Sequence, residues 1–173
     1  MTPFSIRVRV YWEDTDAGGV VFYANYLKFF ERARTEWLRS LGFSQRWLQA
    51  EHGTTFVVTD ASIAYKAPAR LDDEIDVTVT VERISAATIT FVQQAYLRTA
   101  PNTPANGALL AQGQVRIACV DAATLAPRRV PEVVAGAVER AVDHVVEPTV
   151  EPTVDGQDSA KAQAPNPPET SAA

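Results

Sequence analysis

Apolar and polar residues alternate near the start of the chain, with Ile6, Val8, Val10 and Trp12 separated by Arg7, Arg9 and Tyr11. A period of two is that of a half-buried strand. The run passes into residues 13–19, Glu-Asp-Thr-Asp-Ala-Gly-Gly, which read as a polar loop. Over 23–41 the period lengthens to that of a helix. Tyr26, Leu27, Phe29, Phe30, Ala33, Trp37, Leu38 and Leu41 share one face, and Glu31, Arg32, Arg34, Glu36 and Arg39 fall largely off it. Gly42 follows, where a helix end favours positive φ. A helix of about five turns with so aromatic a stripe needs a broad apolar surface, which a curved sheet provides.

Ser44 is placed to cap a short helix through Trp47 and Leu48, ending near His52 and Gly53. Four strand-like runs follow, over 55–66, 74–84, 87–98 and 109–120. The second alternates most clearly, with Ile75, Val77, Val79 and Val81 on one side and Asp76, Thr78, Thr80 and Glu82 on the other. Short connections predict antiparallel neighbours, and residues 101–107, with Asn106 and Gly107, read as a turn-rich link. Pro131 suits the first position of a last helix, whose stripe is Val133, Val134, Ala137, Val138, Ala141, Val142 and Val145. From Glu147 the composition shifts to Pro, Thr, Glu, Gln and Ala, and Val-Glu-Pro-Thr occurs at 146–149 and again at 150–153. Such a stretch buries too little apolar surface to offset its ordering entropy. The organisation predicted is one α+β domain over 1–146 and a disordered tail over 147–173.

Length and composition narrow the function. The 173 residues suit one domain, and an apolar share of 46% supports a normal core. A net charge of −5 argues against a general nucleic-acid binder, which needs a basic face. The lone cysteine, Cys119, allows no internal disulfide and reads as a buried filler. Two histidines, His52 and His144, are too few for a histidine-built metal site, and neither zinc-ligand spacing nor a nucleotide-cradling glycine motif occurs. No cofactor is expected. No basic segment leads into an apolar run at the N-terminus, and no apolar stretch approaches the ~20 residues of a membrane span. A cytoplasmic protein is expected.

The segment 10–26, Val-Tyr-Trp-Glu-Asp-Thr-Asp-Ala-Gly-Gly-Val-Val-Phe-Tyr-Ala-Asn-Tyr, is the informative one. It closely resembles the active-site signature of YbgC-type, Tol–Pal-associated acyl-CoA thioesterases, within the 4-hydroxybenzoyl-CoA thioesterase family of hotdog proteins. The likeness continues at 30–36 (Phe-Glu-Arg-Ala-Arg-Thr-Glu) and 42–45 (Gly-Phe-Ser-Gln). It resumes at 65–73 (Tyr-Lys-Ala-Pro-Ala-Arg-Leu-Asp-Asp), 119–121 and 127–131. The resemblance implies a hotdog fold, in which a five-stranded antiparallel sheet wraps round one long helix. It also implies an acyl-thioester substrate, a homodimer or homotetramer with shared active sites, and a link to the Tol–Pal envelope system. Acyl carrier protein is an alternative carrier to coenzyme A, and a peripheral position at the inner membrane is a further implication.

Carried onto this chain, the family's catalytic carboxylate falls on Asp16. An aspartate is ordinarily ionised at neutral pH, so it can attack the thioester carbonyl or activate a water. Gly18 and Gly19 permit a sharp turn and close approach to a ligand. The first N–H groups of the following helix lack internal partners and carry partial positive charge. Family resemblance assigns the oxyanion to the backbone N–H of Tyr23, with Val21 and Phe22 lining the approach and Asn25 bonding the loop. Asp14 reads as a turn-shaping residue. Lys66, Arg70, Arg83, Arg128 and Arg129 are candidates for the phosphates of coenzyme A, with Lys66, Arg70 and Arg128 singled out. Two positions depart from the family: many YbgC-type sequences have histidine where this chain has Tyr23, and the basic pair of hydroxybenzoyl-CoA thioesterase is replaced here by Ser85-Ala86-Ala87-Thr88. The competing readings are a non-catalytic acyl-thioester-binding or scaffold protein, and a hotdog hydroxyacyl dehydratase. The second would need a catalytic histidine at the helix start, where none stands.

Overall fold

The computed structural model describes residues 3–99 and 107–146. Five strands, β1 (Phe4–Arg9), β2 (Thr54–Tyr65), β3 (Glu74–Ile84), β4 (Thr88–Leu97) and β5 (Leu109–Asp121), form one sheet in the order β1-β3-β4-β5-β2. Every neighbouring pair is antiparallel. Three α-helices, α1 (Asn25–Ser40), α2 (Gln45–His52) and α3 (Glu132–Val146), complete it. The long helix α1 lies on one face of the sheet, the hotdog arrangement that the resemblance implies. The tail over 147–173 and most of the 101–107 link lie outside the described residues.

The core forms where the two periodicities meet. Tyr26, Phe29, Phe30, Ala33, Trp37 and Leu38 of α1 are buried against Ile75, Val77, Val79, Ile89, Phe91, Val115 and Ile117 of the sheet. Leu27, read as part of that face, is instead 40% exposed. Close approach of α1 depends on Gly113 in β5, where an added Cβ would lie 2.7 Å from a Phe30 ring carbon. A buried polar clasp adds to this packing. Gln93 of β4, fully buried, donates to the Phe30 carbonyl at 2.9 Å and accepts from Arg34 at 2.6 Å. Arg34, read as lying off the apolar face, thus reaches down to the sheet. Its burial lowers the guanidinium pKa, and Glu31 opposes that shift.

Helix ends follow the local signals closely. Gly42 takes φ 93° just after α1, and Gly53 takes φ 59° as the cap of α2. The Ser44 hydroxyl accepts from Trp47 N–H at 3.1 Å, capping α2. Pro131 stands one position outside α3, its carbonyl accepting from Val134 and Ala135, both at 2.9 Å. Asp76 and Thr78, on the polar side of β3, are also buried. Arg98 explains Asp76, donating to both carboxylate oxygens at 3.0 and 2.9 Å.

Candidate active site

The loop between β1 and α1 is closed by its own backbone. Asp16 N–H donates to Val20 C=O at 3.0 Å, and Gly19 N–H returns to Asp16 C=O at 3.0 Å. Thr15 and Val21 form an isolated antiparallel bridge. Gly19 sits at φ 72°, a conformation that L side chains rarely adopt, so a glycine here closes the turn without strain. Asp16 is exposed at the tip of this small lobe. Gly18 N–H donates to Asp16 Oδ1 at 2.8 Å, and an added Cβ at Gly18 would meet that oxygen at 3.0 Å.

Asp14 holds the base of the lobe. It is buried, and its Oδ2 accepts from Tyr11 N–H at 2.9 Å. Its carbonyl accepts twice, from Phe22 N–H at 2.8 Å and from Nδ2 of buried Asn25 at 3.0 Å. The Asn25 amide therefore ties the first residue of α1 to the residue two before Asp16. Val21 N–H donates to Ala69 C=O at 2.8 Å, which anchors the lobe to the segment joining β2 and β3.

The helix starts later than its periodicity predicts. Residues 22–24 form a turn, with Asn25 N–H donating to Phe22 C=O at 2.9 Å, and α1 proper begins at Asn25. Val21, Phe22 and Asn25 N–H groups are all engaged. Among the described residues, the Tyr23 and Ala24 N–H groups have no acceptor within the chain. Both are open donors at the head of α1, and the partial positive charge there favours an anionic oxygen.

Asp16, Gly18, Gly19, Val21, Phe22, Tyr23 and Asn25 thus belong to one continuous lobe. Lys66 and Arg70, both exposed, flank Ala69 beside it. Arg70 N–H is held by Asp73 Oδ2 at 2.7 Å. Arg128 is not brought there within one chain. It pairs with Asp121 at 2.8 Å, at the end of β5 that faces Thr54, whereas Tyr65 faces Ala111. Ten residues of strand separate the two ends, roughly 33 Å at ~3.3 Å per residue. Hydrogen bonds from Thr124 and Ala123 hold the Asp121 carboxyl below the usual carboxylate range, with Arg128 adding to them.

Sequence reasoning missed two residues that position this region. Tyr65, the last residue of β2, donates its hydroxyl to the Tyr23 carbonyl at 3.0 Å. Gln93 carries the clasp beneath α1. The surface round the lobe is aromatic: Tyr11 is 61% exposed, Trp12 79% and Tyr23 61%. Among the described residues, no group of three His, Cys, Asp or Glu side chains is placed to hold a metal ion. No helix there is long and apolar enough to cross a membrane.

A helix-filled antiparallel sheet with a carboxylate lobe at the helix head defines a hotdog protein. The model of the thioesterase-like superfamily matches residues 10–138, and the chain belongs to that family. It is 45% identical over 134 residues to the acyl-CoA thioesterase YbgC of Haemophilus influenzae, covering 78% of this chain and 93% of that protein. It is 43% identical over 133 residues to the acyl-CoA thioester hydrolase YbgC of Escherichia coli O6:H1, covering 77% and 93%. Among solved structures, a probable thioesterase from Bartonella henselae superposes with a TM-score of 0.67 at 31% identity, covering 75% of this chain and all of that one.

Proposed function

We propose that this chain is an acyl-CoA thioesterase that cleaves its substrate to free acid and coenzyme A, with Asp16 as the reacting carboxylate. The observation that carries this reading is the pairing, in one backbone-closed lobe, of an exposed carboxylate with the open N–H of Tyr23. Asp16 either attacks the thioester carbon or takes a proton from an attacking water. On either route the carbonyl oxygen gains charge, which the Tyr23 N–H stabilises. The C–S bond then breaks and the departing thiolate is protonated. A direct attack leaves an acyl–aspartyl anhydride, which water hydrolyses to restore the carboxylate.

Three features extend the reading. Lys66 and Arg70 are the cations nearest in sequence to Ala69, which anchors the lobe, and suit the phosphates of coenzyme A. Exposed Phe22, Tyr23, Tyr11 and Trp12 beside the carboxylate suit burial by a second copy, as does the open edge of β2, where Val58 is 55% exposed. A homodimer or homotetramer with shared sites follows, and a monomeric mass by solution scattering contradicts it. The motif resemblance of segment 10–26 extends the proposal to a cytoplasmic, envelope-linked role with the Tol–Pal system, with acyl carrier protein as the competing donor.

Thiol release from a panel of short, long and aromatic acyl-CoAs tests the activity. Turnover of at least one class is expected. Tight binding without thiol release from any of them overturns the assignment in favour of a binding protein.

A further inference from the structure

The turn that leads into α1 leaves the Tyr23 carbonyl outside the helical ladder. Leu27 N–H donates to Ala24 C=O at 3.1 Å and Asn25 N–H to Phe22 C=O at 2.9 Å, so the Tyr23 carbonyl between them receives neither. Its partner comes from the sheet, where the Tyr65 hydroxyl donates to it at 3.0 Å. Tyr65 is well placed to hold that bond. Its backbone pairs with Ala111, and the next residue, Lys66, donates to Leu110 C=O at 2.8 Å. Its ring meets Tyr26 edge-on at 5.8 Å and Tyr23 at 6.3 Å.

In a trans peptide the C=O and N–H point in opposite directions. Holding the Tyr23 oxygen therefore fixes the direction of the Ala24 N–H, one of the open donors. The preceding peptide is fixed in the same way, because Phe22 C=O is held by Asn25 and Tyr23 N–H is left open. A hydrogen bond to the carbonyl also polarises the amide and strengthens its N–H as a donor. We infer that Tyr65 is a positioning residue for thioester hydrolysis, holding the Tyr23–Ala24 peptide so that Ala24 N–H joins Tyr23 N–H as a second donor to the developing oxyanion. This rests on the proposed thioesterase reading. Burial, and then the neighbouring Tyr23, push the Tyr65 phenol above its ordinary pKa, so it remains a protonated donor at neutral pH.

The test uses the full chain with Tyr65→Phe, which keeps the ring contacts and removes only the hydroxyl. An Asp16→Asn arm is run beside it. With the best acyl-CoA of the panel, kcat should fall about 10-fold, the scale of one hydrogen bond, with KM within about twofold. The Ala24 amide resonance in a ¹H–¹⁵N spectrum should shift upfield, and the pH profile and melting temperature should stay as in wild type. Unchanged kcat, a rise in KM alone, or an unmoved Ala24 resonance overturns the role. If Asp16→Asn abolishes turnover while Tyr65→Phe keeps it, the Tyr65 inference alone fails. If wild type and Asp16→Asn are equally inactive, the thioesterase reading fails and the inference with it.

Discussion

The Gly18 N–H donates to Asp16 Oδ1 at 2.8 Å, so one oxygen of the proposed reacting carboxylate shapes its own loop. Among the described residues, Asp16 Oδ2 has no hydrogen-bond donor, which leaves it open to a substrate or a water. Turn-shaping and the proposed catalysis are compatible because they would use different oxygens of Asp16.

The two glycines of the lobe should fail differently. Gly18→Ala would place a methyl 3.0 Å from Asp16 Oδ1, so the carboxylate must shift. Its kcat should fall about 10-fold or more, the scale of displacing a reacting group, with the melting temperature barely changed. Gly19→Ala meets open space but must hold φ 72°, costing about 1–2 kcal/mol. It should therefore lower stability, and kcat less. Steady-state kinetics and thermal melts of both variants check this, and identical behaviour contradicts it.

Asn25 is buried, and its Nδ2 holds the Asp14 carbonyl at 3.0 Å. Replacing it with Leu removes a buried donor and the tie between α1 and the lobe. A loss of about 1–3 kcal/mol should appear in the denaturant midpoint, together with a lower kcat. Wild-type kcat in a destabilised Asn25→Leu protein would detach the tie from catalysis.

Asp76→Ala should be costly without touching chemistry. The carboxylate accepts from Arg98 at 2.9 and 3.0 Å, and both side chains are at most 10% exposed. Breaking a buried pair costs up to about 3–5 kcal/mol, and Glu74, 3.9 Å from Arg98 Nε, offsets part of that loss. Denaturant titration should show that loss, and kcat per folded molecule should match wild type.

Cys119 is buried, and burial raises its thiol pKa above the ordinary value. Less thiolate is then present at neutral pH, and the thiolate is the reactive form. Thiol reagents should leave the native protein unmodified and active, and should label Cys119 only on unfolding. Rapid native labelling with loss of activity would instead place Cys119 in the chemistry.

The parts of the fold held by local pattern were readable from the sequence. The 74–84 alternation coincides with β3, and Ser44, Gly42 and Gly53 act as their types predict. The late start of α1 was not readable, because residues 22–24 are held in a turn partly through Phe22 N–H to Asp14, a bond no periodicity records. Arg34 and Gln93 meet across 59 positions, and Tyr65 meets Tyr23 across 42, so neither pair leaves a local signal. Arg128 reads as a candidate phosphate ligand by its charge, yet only the β2–β5 register reveals that it lies at the strand end away from Tyr65. The Asp16 lobe was recognisable because its residues are contiguous.

The central claim is that Asp16 carries the reaction, and the direct measurement is kcat of Asp16→Asn against wild type on the best acyl-CoA. The asparagine side-chain oxygen can still accept from Gly18 N–H, so the lobe and the melting temperature should persist. A fall of at least ~100-fold in kcat is expected, with the fold intact. Turnover within a few-fold of wild type would contradict it.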